Sequence, residues 1–119
     1  GVRGVGVFNN ELFVGMHSPP QIWKTADGLT WQKVFDPTEG KGKGYIASMA
    51  AWDGHLYTGV NLHAPEPSDV FRTADGMTWE EAGELTPYTI EAMEVFQGDL
   101  FAGVLLPSGA WIYRSTKGP

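Results

Sequence analysis

An all-β fold of repeated four-stranded units is what this sequence predicts, and three observations predict it. The chain repeats itself every 44 residues. Phe8, Trp52 and Phe96 keep that spacing, as do Leu12, Leu56 and Leu100, and Gly15, Gly59 and Gly103. Aligned on these positions the chain reads FNNELFVG, WDGHLYTG and FQGDLFAG, each block a two-residue turn set between apolar runs. No segment sustains a 3.6-residue apolar period, and 16 glycines punctuate the chain, which disfavours helices. A period of about 40–50 residues made of short strands is that of a β-propeller blade. The units are therefore read as blades over residues 1–44 and 45–88, with an incomplete third over residues 89–119.

Each unit gives the same elements in order. Val2–Phe8, Ile46–Trp52 and Ile90–Phe96 are apolar or small-residue runs that fit a buried first strand. Asn9-Asn10, Asp53-Gly54 and Gln97-Gly98 follow, dipeptides that favour type I′ hairpin turns. The second strand is Glu11–Met16, His55–Val60 and Asp99–Leu105, and its central glycine permits close approach by a neighbouring strand or ring. A proline-bearing loop leads to the third strand at Gln21–Thr25, Asp69–Thr73 and Ala110–Ser115. The fourth strand, Thr30–Phe35 and Thr78–Ala82, occurs twice. Phe8, Trp52 and Phe96, matched in every unit, are expected to be buried core.

Between third and fourth strands stand Thr25-Ala26-Asp27-Gly28-Leu29-Thr30-Trp31 and Thr73-Ala74-Asp75-Gly76-Met77-Thr78-Trp79. This motif resembles the Asp-box, or bacterial neuraminidase repeat, whose pattern is Ser/Thr-x-Asp-x-Gly-x-Thr-Trp. Both copies are one residue shorter than that pattern, and the third, Ser115-Thr116-Lys117-Gly118-Pro119, has lysine in place of the aspartate. The resemblance implies propeller blades with the box on the turn joining the two outer strands. Its members include sialidases, other glycosidases, sorting receptors and photosystem assembly factors, so it implies no single activity. The residues themselves point to a structural box. The Asp27 and Asp75 carboxylates can accept N–H groups of their own turn, and Gly28 and Gly76 supply a conformation closed to other residues. Thr25 and Thr73 hydrogen-bond locally, and Trp31 and Trp79 open the next strand and insert between layers. A calcium reading fails for want of oxygens, one carboxylate per turn being too few.

Composition narrows the function. With 8 basic against 14 acidic residues the net charge is −6, and no basic stripe exists to track phosphates, so no nucleic-acid partner is expected. No apolar run approaches the length of a helical membrane span, so no membrane insertion is expected. There is no cysteine and hence neither disulfide nor thiolate metal site. No leader peptide is visible, because the chain opens inside a strand pattern. The compartment stays open, with a leaning toward an extracellular or periplasmic one.

Strand alternation puts the box turns and hairpin turns at one end of the sheets. The proline-bearing loops and the connections between units lie at the other, where binding residues are expected: His17, Tyr45, Asn61, His63, Glu66 and Asp69. His17 and His63 occupy equivalent loops, yet only Glu66 or Asp69 could complete a metal site, so neither metal nor cofactor is expected. Gly40-Lys41-Gly42-Lys43-Gly44 lacks phosphate-loop spacing and is read as a connection. A glycosidase needs paired carboxylates, and Glu91 and Glu94 have no acidic counterparts in the other units. The three arginines, Arg3, Arg72 and Arg114, do not form a sialidase triad, and no catalytic residue is assigned. The expectation is a non-catalytic scaffold or binding module for protein or carbohydrate. The alternatives are a piece of a sialidase-like or other glycoside hydrolase, or a self-assembling lectin-like module. Fewer than three blades leave two raw edges, so contacts at both ends are expected, to symmetry copies or to further polypeptide of which this chain is a fragment.

Overall fold

The computed structural model describes residues 1–62, 68–85, 89–106 and 108–116. Its local order begins at the turns. Asn9 and Asn10 (φ 51° and 61°), Asp53 and Gly54 (49° and 77°), and Gln97 and Gly98 (50° and 82°) all take the left-handed conformation of a type I′ hairpin. The first unit holds strands β1 (Val2–Phe8), β2 (Glu11–Met16), β3 (Ile22–Thr25) and β4 (Gln32–Phe35). The second holds β5 (Gly44–Trp52), β6 (His55–Leu62), β7 (Ser68–Thr73) and β8 (Trp79–Glu84). The third holds β9 (Thr89–Phe96), β10 (Asp99–Leu106) and β11 (Gly109–Ser115). No described residue is helical.

Each unit is an antiparallel meander: β1-β2-β3-β4, then β5-β6-β7-β8, then β9-β10-β11. The fourth strands start later than the sequence suggests. Thr30 lies outside β4 because its N–H is bonded to the Asp27 carboxylate at 2.8 Å, and Thr78 stands likewise to Asp75 at 2.7 Å. That N–H is then withheld from the ladder. Each first strand carries an irregularity near its start, between Val2 and Gly4, between Ile46 and Met49, and between Ile90 and Ala92.

The three sheets stack through their faces, with β1 packed on β5 and β5 on β9. Phe13, Ile22, Ile46, Met49, Leu56 and Val60 fill the space between the first and second sheets. Tyr57, Ile90, Met93, Leu100, Ala102 and Val104 fill the space between the second and third. The glycines of the second strands make this stacking close. A Cβ on Gly15 would sit 2.6 Å from Ile46 Cγ2, and one on Gly59 would sit 2.6 Å from Ile90 Cβ. Each isoleucine is a knob in the glycine notch of the preceding sheet.

Two core expectations fail for one reason. Phe8 and Trp52 are half-buried against the following sheet, but Phe96 is 61% exposed. Trp79 packs on Phe13 and Phe35 of the preceding sheet, with ring centroids 6.5 and 5.1 Å apart. Its equivalent Trp31 does not insert between layers. It is 40% exposed on the outer face of the first sheet. Equivalent side chains are buried only where an adjacent sheet exists to cover them.

Candidate functional site

Pairing register gathers the site at the end where β1, β5 and β9 begin. His17, one residue past β2, bridges to Tyr45 at the start of β5, and Tyr45 pairs with Asn61 near the end of β6. The His17 N–H donates to the Gly1 carbonyl at 2.9 Å and the Ser18 N–H to the Gly44 carbonyl at 2.7 Å, which anchor this corner. The His17 and Tyr45 rings lie 5.9 Å apart at 40°. Arg3 of β1 places its guanidinium carbon 4.6 Å from the Tyr45 ring centroid, a cation–π distance. From the third sheet, Glu91 accepts the Tyr45 hydroxyl hydrogen bond at 2.5 Å. Burial raises the phenol's pKa above its usual 10.0, and the Glu91 carboxylate beside it adds to the shift. One half-buried ring of the second unit thus meets a cation and an imidazole from the first and a carboxylate from the third.

The other expected binding residues fall elsewhere. Asn61 is fully buried and holds two sheets together: its Nδ2 donates to the Ile90 carbonyl and its Oδ1 accepts the Ile90 N–H, both at 2.7 Å. Both ends of its amide are bonded to the backbone of one residue, so its place is structural. Asp69 is on β7, opposite Glu84 in register. Its Oδ1 is buried with no partner among the described residues. Burial raises its carboxyl pKa, reinforced by Glu81 and Glu84. His63 and Glu66 lie outside the described residues. Among the described residues, no three His, Asp or Glu side chains are placed to hold a metal ion together.

Reading the sequence alone passed over Arg3 and Glu91 as partners of Tyr45. A signal was present: Arg3, Ala47 and Glu91 are equivalent positions, so the units on either side of Tyr45 bring opposite charges to it. No protein-family model matches this chain, and no curated protein matches it.

The box turns at the opposite end are self-contained. Asp27 Oδ1 accepts the N–H groups of Leu29 and Thr30 at 2.7 and 2.8 Å, and Asp75 Oδ1 those of Met77 and Thr78 at 2.8 and 2.7 Å. The hydroxyls of Thr25 and Thr73 accept the N–H groups of Gly28 and Gly76 at 2.8 and 2.9 Å and donate to their aspartates. Gly28 and Gly76 have φ of 78° and 80°. The backbone donors hold the Asp75 carboxyl at about 2, and they lower Asp27 in the same direction. These carboxylates are turn components. The glycine-rich connection is also closed on a carboxylate, with Asp36 accepting the Gly40 N–H at 2.8 Å and pairing with Lys33. An acid at that position opposes phosphate.

A cavity of about 230 Å³ opens between the second and third sheets, lined by Tyr57, Val70, Gly83, Met93, Leu100 and Tyr113 among others. Tyr57, Val70 and Gly83 are the repeat equivalents of Phe13, Ile22 and Phe35, the first and last of which pack against Trp79 between the first two sheets. No described residue of the third sheet provides the corresponding tryptophan.

Proposed function

We propose that this chain is a run of Asp-box β-propeller blades serving as a non-catalytic binding module, with carbohydrate the ligand class at the Tyr45 end. The observation carrying the reading is the meeting of Arg3, His17 and Glu91 on the Tyr45 ring. Fixed hydrogen-bonding groups of both charges gathered around an aromatic ring suit a sugar, whose hydroxyls bond to them. The blade reading is supported by three meanders whose first strands stand side by side, in a body of 41 × 38 × 20 Å. The two box turns, with matching hydrogen bonds, support the likeness to the Asp-box family. The hydrolase alternative draws on Glu91 and Glu94. Glu91 is held by Tyr45, and Glu94 accepts the N–H of its own neighbour Val95 at 3.1 Å, so the pair is not aimed at a common bond.

A glycan array probed with the full chain, followed by calorimetric titration of the retained sugar, tests the reading. Tyr45→Ala is expected to weaken binding by about tenfold or more, because it removes the ring that gathers Arg3, His17 and Glu91, and Glu91→Gln by less. Retention of a protein ligand but no glycan would replace carbohydrate with protein as the ligand class. Full affinity in both variants would remove Tyr45 from the site.

A further inference from the structure

The outermost faces of the stack are the two halves of the interface that the chain already makes twice internally. Ile46 and Ile90 are fully buried knobs in the notches at Gly15 and Gly59. Their equivalent Val2 is 59% exposed on the free face of the first sheet. Met49 and Met93 are buried at 7% and 9%, while their equivalent Val5 is 59% exposed. On the free face of the third sheet, the notch equivalent to Gly15 and Gly59 is empty: a Cβ on Gly103 would meet nothing closer than Ala92 at 3.9 Å. Ile112 there is 75% exposed, whereas its equivalent Ile22 is fully buried. One free face thus carries the unfilled knobs and the other the unfilled notch, in the register that pairs them inside the molecule.

We propose that a second copy of this chain docks head-to-tail on these faces, its first sheet against the third sheet of its neighbour, with Val2 entering the Gly103 notch. The contact is heterologous, the same surface never meeting itself, so it propagates until a ring closes. Apolar faces of this kind rarely stay bare in water. The inference rests on the stacked-blade reading and not on the ligand, and the two fail separately, since sugar binding at Tyr45 is read by titration and association by mass.

Sedimentation velocity of the full chain and two single-face variants tests it. Val5→Glu charges the first face at an exposed position. Gly103→Leu fills the notch, where a Cβ meets nothing closer than 3.9 Å. The wild type is expected to sediment as assemblies larger than the 13.0 kDa chain, growing with concentration. Each variant alone is expected to be monomeric with an unchanged strand spectrum by circular dichroism. An equimolar mixture is expected to recover a 1:1 dimer and nothing larger, because each variant retains one competent face. Leu29→Glu, at an exposed box-turn position, is expected to leave assembly unchanged. Should Gly103→Leu lose its strand signal, Ile112→Lys, exposed on the third face, takes its place in the mixture, and Val2→Glu, exposed on the first face, does the same for Val5→Glu. A wild type that stays monomeric when concentrated overturns the proposal and assigns the faces to another occupant. Variants that each still self-associate overturn it in favour of face-to-face pairing.

Discussion

At the scale of single residues, this chain's carboxylates are set apart by what surrounds them. Asp75 accepts two backbone N–H groups and is held at about 2 against an ordinary 3.8. A carboxyl whose pKa falls on folding stabilises the fold above its unfolded value and loses that contribution as pH drops through the folded one. Thermal melts of the wild type should therefore lose stability between pH 4 and pH 2, and Asp75→Asn should lose less over the same window. Asp69 has the opposite sign. Its pKa is raised by burial and by the nearby Glu81 and Glu84, so its charged form opposes folding once pH exceeds the ordinary carboxylate range. Asp69→Asn should raise Tm at pH 7 and change it little at pH 3, which melts at the two pH values check directly. Thr73 is the uncharged member of the box. It is 1% exposed, and its hydroxyl accepts the buried Gly76 N–H. Thr73→Ala should cost about 1–3 kcal/mol, the price of stranding that donor, measured by urea unfolding.

At the scale of elements, the second strands decide how closely the sheets approach. Gly59 and Gly103 are the same residue in the same strand position, yet one is crossed by Ile90 and the other faces nothing within 3.9 Å. Gly59→Ala forces a methyl group into the Ile90 side chain and should destabilise the fold by about 1–3 kcal/mol. Gly103→Ala should change the stability of the dilute chain by no more than about 0.5 kcal/mol. Equal effects in urea unfolding would mean that the stacking of the second and third sheets is not as described. The aromatic at the end of each first strand pairs with the ring of the second: Phe8 with Phe13 at 6.4 Å, Trp52 with Tyr57 at 5.7 Å, and Phe96 with Phe101 at 6.4 Å. Lys24, Arg72 and Arg114 each lie over that second-strand ring, at 5.9, 6.0 and 5.8 Å. The three units therefore build the same local structure whether or not a sheet lies beyond them.

At the scale of the whole molecule, burial follows position in the stack. Ile90 is fully buried between the second and third sheets, and Val2 is its exposed counterpart on the first. Ile90→Ala should cost about 2–5 kcal/mol, since it removes a packed side chain and leaves a cavity. Val2→Ala should be nearly neutral in dilute solution, where the first face is uncovered. The same separation of local and global effects assembles the Tyr45 cluster. The Tyr45 ring stands in the second unit, but its partners are Arg3 from the first and Glu91 from the third.

By itself the sequence determined what depends on neighbours along the chain. The strands, the three I′ turns and the self-bonded turns at Asp27 and Asp75 all follow from side chains acting within a few residues of one another, as at Asp53-Gly54 and Thr73-Ala74-Asp75-Gly76. Only the tertiary structure decided which of three equivalent residues is core. Phe8, Trp52 and Phe96 look alike in sequence, and so do Trp31 and Trp79, but burial requires a surface from another sheet that no local pattern records. For the same reason Asn61, which reads as a loop ligand, proves to bind the Ile90 backbone, while Arg3 and Glu91, which read as isolated charges, meet at Tyr45. Hydrogen bonds within a turn are written in adjacent residues; contacts between sheets are set by how the sheets stack.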